Sequence, residues 1–200
     1  MSERSDEVKA AAEAALGDKA LLKEQVDRLE SSSRRERQQA AAVLKQVSKT
    51  DPQALVPYID NLIDALSRPE AQTRWESLES LSLMIELDSR SCGKALNDAE
   101  TALFDEESGP VRLAAMRFLC RYGSTTAARS DKTWPLIDEG IQCYHGDLEF
   151  NDMLVALVDF SAGKLSQEVK DALADRMAFD AGNGKGTLRR RAQQIVDNLK

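Results

Sequence analysis

Thr50-Asp51-Pro52-Gln53-Ala54-Leu55-Val56-Pro57-Tyr58-Ile59-Asp60-Asn61-Leu62-Ile63-Asp64-Ala65-Leu66 reads as one helix with its own start signal. Thr50-Asp51 can cap, and Pro52 presets φ while giving up an N–H that the first turn does not use. Leu55, Ile59, Leu62, Ile63 and Leu66 then recur at three- and four-residue steps, which is one face of a helix. Ser67-Arg68-Pro69-Glu70-Ala71-Gln72 breaks the run, because Pro69 cannot continue the hydrogen-bond ladder. A second helix is expected over about 73–88, with Ser77, Leu78, Leu81, Met84 and Ile85 on its inner side. Two antiparallel helices joined this way leave an apolar face that neither can cover.

Working outward, the same pair returns. Leu29, Leu66, Leu103, Ile141 and Phe179 fall in one column at spacings of 37, 37, 38 and 38 residues, with Leu22, Ile59, Leu96, Trp134 and Ala172 before them. In the second helices Ala40, Ser77, Ala115, Leu154 and Ala192 align, followed by Leu44, Leu81, Leu119, Val158 and Val196. Small residues in one column and large ones in the next suit interdigitating layers. Breakers sit inside each unit at Ser31-Ser32-Ser33, Arg68-Pro69, Ser108-Gly109-Pro110, His145-Gly146 and Gly182-Asn183-Gly184-Lys185-Gly186. A period of this size predicts stacked helix pairs. The expected organisation is residues 1–17 as an N-terminal extension with a short capping helix, begun by Ser5, and a repeat domain over 18–200. Its units are 18–50, 51–88, 91–123, 131–163 and 166–200.

The run from Ala54 through Arg74, and Leu103 through Gly109-Pro110-Val111-Arg112-Leu113-Ala114-Ala115, resemble the HEAT-repeat pattern of the armadillo-like α-solenoids. The Pro-Val-Arg-x-x-Ala opening of the second helix is the most specific part. Arg37, Arg74, Arg112 and Arg189 occupy the Arg column of that pattern, and Asn151 departs from it in the fourth unit. The resemblance implies an all-α, right-handed α-α superhelix of about five helix pairs plus an N-terminal helix. It also implies that the second helices line an inner curve. It does not specify an activity.

Composition bounds the function classes. The chain is 42 % hydrophobic, 30 % charged and 5 % aromatic, and carries a net charge of −7. By successive quarters the net charge is +1, −6, −3 and +1, so an acidic middle opposes tracking along a phosphate backbone. No stretch approaches the roughly 18 apolar residues of a membrane span, and Met1-Ser2-Glu3-Arg4-Ser5-Asp6 does not lead into a signal-like apolar run. A cytoplasmic location is expected, with Cys92, Cys120 and Cys143 as reduced thiols. Cys143 and the single histidine, His145, are too few for a zinc site, so neither metal nor cofactor is expected.

Catalysis finds no support in the motifs: GxSxG, HExxH and repeated His-Glu sets are absent. Gly182-Asn183-Gly184-Lys185-Gly186-Thr187 lacks phosphate-loop spacing and follows a helix, so a flexible turn explains it. Taking the Arg column as zero, helical geometry puts positions +1, +5 and +9 opposite the core. On that face Trp75, Glu79, Leu83, Leu113, Arg117, Arg121, Met153 and Phe160 are the candidate contacts, with Trp75 as anchor. Glu76, Glu79 and Glu86 form an acidic strip there. Trp134 is expected in the core. The function expected is a non-enzymatic scaffold or adaptor holding a protein partner on its concave surface. The alternatives are a HEAT-like DNA-repair glycosylase or other nucleic-acid-binding solenoid, which the acidic strip opposes, and a subunit of a larger assembly or homo-oligomer. The abrupt end after Leu199 is read in the latter sense, as a helix that docks or an array that continues.

Overall fold

The computed structural model describes residues 3–200, all of whose regular structure is helical. They divide into two compact units, the first ending at Ala102 and the second running Leu103–Lys200.

In the first unit α1 (Glu3–Gly17) is followed by α2 (Lys19–Asp27) and α3 (Arg34–Thr50). Asp18 caps α2 by accepting from the Ala20 N–H at 2.7 Å, and Ser33 Oγ accepts from the Glu36 N–H at the start of α3. The stretch that opened the sequence reading is helical but not one α-helix. It is a 3₁₀ segment over Pro52–Tyr58, α4 (Ile59–Asp64) and a 3₁₀ turn over Ala65–Ser67. Pro57 supplies no N–H for an α-type ladder, which accounts for the tighter winding. Then come α5 (Ala71–Met84), α6 (Ser89–Cys92), and α7 (Leu96–Leu103), whose last residue belongs to the second unit. Helix α6 spans the boundary expected between the second and third units, because the Asp88 carboxylate accepts from the Ser91 N–H at 3.0 Å and starts it.

Helix α1 packs on both α2 and α3, and α3 packs on α5. So α1, α3 and α5 form one layer, and α1 holds the place of a second helix. Ala12 and Ala15 form its buried edge. Ser5 is not its cap; the helix already starts at Glu3.

The second unit contains α8 (Gly109–Gly123), α9 (Ala127–Tyr144), α10 (Phe150–Ser161), α11 (Gln167–Asn183) and α12 (Gly186–Asn198). Ser108, Thr126 and Ser166 cap α8, α9 and α11 through their hydroxyls. Helix α8 packs on α9 and α10, α10 on α12, and α11 on α9 and α12, so α8, α10 and α12 form one layer and α9 and α11 the other. The layers approach closely at Gly123, where a Cβ would lie 2.2 Å from Thr133 Oγ1 of α9, and 2.9 Å from the Phe160 ring within its own layer.

The column Ala40, Ser77, Ala115, Leu154 and Ala192 is fully buried throughout. Leu29, Leu66, Leu103 and Ile141 are buried too, but Phe179 is 73 % exposed. That expectation was wrong because the last step shortens to 36 residues: Leu173 and Met177 take the core positions on α11, displacing Ala172 and Phe179. A similar slip leaves Val158 and Val196 half-buried, with Leu157 and Ile195 in their place, and Trp134 half-buried between Thr133 and Ile137.

The Arg column stitches second helices together. Arg37 Nε donates to Glu70 Oε2 at 3.1 Å, its Nη2 donates to the other carboxylate oxygen, and Nη1 donates to the Ser31 carbonyl at 2.6 Å. Arg112 repeats this in the second unit, with Nη1 on the Asp105 carbonyl at 2.9 Å and Nη2 on Glu149 Oε1 at 2.6 Å. Glu70 and Glu149 are the residues that open α5 and α10, so each arginine holds the start of the next second helix. Asn151 cannot do this. Its backbone carbonyl instead accepts from Arg191 Nη1, while Arg189 lies exposed.

Candidate functional site

On α5 the apolar side chains are divided unusually. Leu78, Leu81 and Met84 face inward together with Thr73, Ser77, Ser80 and Ser82, whereas Trp75 and Leu83 are only half-buried. Ser80 and Ser82 return their hydroxyls to the Glu76 and Leu78 carbonyls at 3.0 and 2.8 Å, but Thr73 Oγ1 and Ser77 Oγ are buried without a hydrogen bond. The largest side chain of the helix therefore sits at the surface while hydroxyls fill the interior.

Beside it runs an open groove between α1, α3 and α5, lined by Ser5, Val8, Lys9, Ala42, Lys45, Gln46, Lys49, Gln72 and Glu76. Lys45 Nζ lies 2.5 Å from Glu79 Oε2, joining the wall of this groove to the Trp75 face. Glu76 is 8 % exposed and accepts from Gln72 Nε2 at 3.2 Å, so it belongs to the groove wall and not to an open acidic strip. Only Glu86 of the three strip residues is exposed.

In the second unit Leu113 is half-buried, and Arg117 and Arg121 are exposed on the same side of α8. Met153 and Phe160 are 0 % exposed and are not contact residues. Helix α10 buries Phe150, Met153, Leu154, Leu157 and Phe160, a stripe at three- and four-residue spacings that places the core one residue earlier than the column alignment does. The exposed residues of α10 are Asn151, Asp152, Val155 and Asp159. Val155 and Asp159 were missed, although the apolar stripe of α10 read by itself carries that signal.

Among the described residues no group of three or more His, Cys, Asp or Glu side chains is arranged to hold a metal ion, and no helix is long and apolar enough to cross a membrane. Cys92 and Cys120 are buried and Cys143 is exposed. Burial pushes the Cys92 thiol up to about 12 and raises Cys120 as well.

No family model and no curated protein sequence matches the chain. Solved structures do. A designed armadillo repeat protein in complex with the peptide (KR)4 superposes with a TM-score of 0.79 at 13 % identity, covering 98 % of this chain and 91 % of that one. Computationally designed armadillo repeat proteins for modular peptide recognition give 0.73 at 13 % identity, covering 96 % and 92 %. An archaeal HEAT-like repeats protein from Thermococcus onnurineus NA1 gives 0.55 at 15 % identity, covering 98 % and 95 %. At such identities the likeness is one of architecture, and it agrees with the repeat columns: the chain has the all-α fold of the HEAT and armadillo repeat solenoids.

Proposed function

We propose that this protein is a non-enzymatic scaffold that holds a segment of a partner protein on the solvent face of its second helices. The binding surface in the first unit is the groove between α1, α3 and α5 together with Trp75. The observation that carries this reading is the placement of Trp75. A half-buried indole on a helix whose interior is filled with serines is an amphipathic anchor held ready by its own fold. The groove beside it offers an apolar floor at Val8 and Ala42, amides at Gln46 and Gln72, and ammonium groups at Lys45 and Lys49. Such a surface suits an extended segment, whose backbone groups need hydrogen-bond partners and whose side chains need both apolar and charged neighbours. A structural neighbour solved with a basic peptide supports the general form of the reading. The charge on this groove calls for a different peptide.

Peptide display against the full chain tests it. Enriched peptides are expected to lose about tenfold or more in affinity, at least 1.4 kcal/mol, against Trp75→Ala with unchanged helical content. They are expected to compete with one another for one site. Peptides that bind Trp75→Ala and the parent equally well would place the site elsewhere.

A further inference from the structure

The tip of the α11–α12 hairpin combines an exposed aromatic ring with uncompensated positive charge. Phe179 stands 73 % exposed one turn before the end of α11. Lys185, Arg189 and Arg190 are exposed at the start of α12, and none forms an ion pair among the described residues. Other cations of the second unit are matched: Arg112 holds Glu149 and Arg176 holds Asp138. The nearest carboxylate in sequence, Asp180, is 6 % exposed and is engaged by His145 Nε2 at 3.0 Å, so it faces away from the cations' solvent side.

The turn that joins the two groups is tight. A Cβ on Gly184 would lie 2.4 Å from the Asp180 carbonyl and 3.3 Å from the Arg189 nitrogen, which ties the backbone next to Phe179 to the backbone of Arg189. Helix α12 also starts without an acidic residue in its first turn and without a side-chain cap. Cations in that position oppose the helix dipole. The compensation available elsewhere, as at Ser33, Glu36 and Glu70 around the Arg34-Arg35-Glu36-Arg37 cluster, is missing here.

We infer that this hairpin tip is a docking surface for an acidic protein segment that carries an apolar side chain: the carboxylates meet Lys185, Arg189 and Arg190, and the apolar group covers Phe179. Lys185 and Arg189 are one helical turn apart, about 6 Å along the axis, a reach that matches two neighbouring carboxylates. A phosphate backbone or a lipid surface needs a longer cationic track, and here Asp171, Asp175 and Asp197 stand exposed on the same two helices. The surface is independent of the groove in the first unit.

The test is fluorescence anisotropy of the full chain with a labelled peptide of alternating glutamate and leucine, at about 50 mM salt. A glutamine–leucine peptide, single-stranded DNA and vesicles containing phosphatidylserine are the other probes. The glutamate peptide is expected to bind, to lose about tenfold or more with Arg189→Glu/Arg190→Glu, and to lose a comparable factor with Phe179→Ser. The Arg189→Lys/Arg190→Lys chain, which keeps the charge, is expected to retain most of the binding. Trp75→Ala is expected to leave it unchanged. The inference is overturned if the glutamate peptide fails to bind, if the reversed-charge chain binds it as well as the parent, or if DNA or vesicles bind more tightly at this surface. Far-ultraviolet circular dichroism on each variant separates lost binding from lost fold.

Discussion

Helices α5 and α8 hold the same place in successive repeats, yet they are built from opposite materials. Helix α8 buries Val111, Ala114, Ala115, Met116, Phe118, Leu119 and Cys120, and its exposed side is arginine. Helix α5 buries Thr73, Ser77, Ser80 and Ser82 among its leucines and keeps its tryptophan at the surface. The first arrangement gains stability from apolar burial and spends its surface on charge. The second gives up core area, at about 25 cal/mol for each Å² of apolar surface not buried, and leaves its tryptophan half-buried. A repeat protein tolerates this because each pair leans on its neighbours, so one helix can be weak in the core if those beside it are strong.

The sharpest way to break the comparison is Phe160→Ala. As a core residue of the second unit, its loss is expected to cost about 4 kcal/mol in urea unfolding and to speed alkylation of Cys120 without a like effect on Cys92. A surface contact residue would cost well under 1 kcal/mol by the same measurement. Cys143, exposed, is expected to react first in every variant.

The next effect belongs to the first unit. Arg37→Ala leaves Glu70, 5 % exposed, without its partner, and is expected to destabilise in urea unfolding by less than Phe160→Ala does. The Arg37 guanidinium, hydrogen-bonded to Glu70, holds that carboxyl below the usual range for glutamate. Its folded pKa is thus lower than its unfolded one, so the stabilisation is complete above the ordinary glutamate pKa and fades as pH falls through the depressed value. Acid unfolding of the parent is expected to show that loss below about pH 4.5, and Arg37→Ala to flatten it. An unchanged acid profile would mean that the pair contributes nothing.

The smallest effect has the opposite sign. Ser77 stands in a column otherwise filled by Ala40, Ala115, Leu154 and Ala192, and its buried hydroxyl has no hydrogen bond. Ser77→Ala is expected to stabilise by about 1 kcal/mol, raising the urea midpoint without changing the slope. The corresponding change in the second unit is not possible, since Ala115 already holds that position.

These residues also mark how far the sequence could be read. Columns through the first three units were legible because Leu29, Leu66 and Leu103 recur at a constant 37 residues and capping residues flag the helix starts. The reading slips in the fourth and fifth units, where the loop through His145-Gly146 and the cap at Ser166 change the spacing by a residue or two. A single-residue slip turns a helix by about 100°, enough to bring Phe160 from surface to core, and the two-residue slip on α11 puts Met177 in the place expected for Phe179. The place of α1 in the layer of second helices was hidden for another reason: its buried edge is alanine, and alanine gives little periodic contrast. The groove it forms with α3 and α5 was consequently out of reach.

One titration bears most directly on the claim that the α3–α5 face holds a partner segment. In a Trp134→Phe chain, Trp75 is the remaining tryptophan, and a peptide selected by display should shift its emission to the blue in a saturable manner as the indole leaves water. Saturable binding of that peptide with the Trp75 emission unmoved would contradict the account.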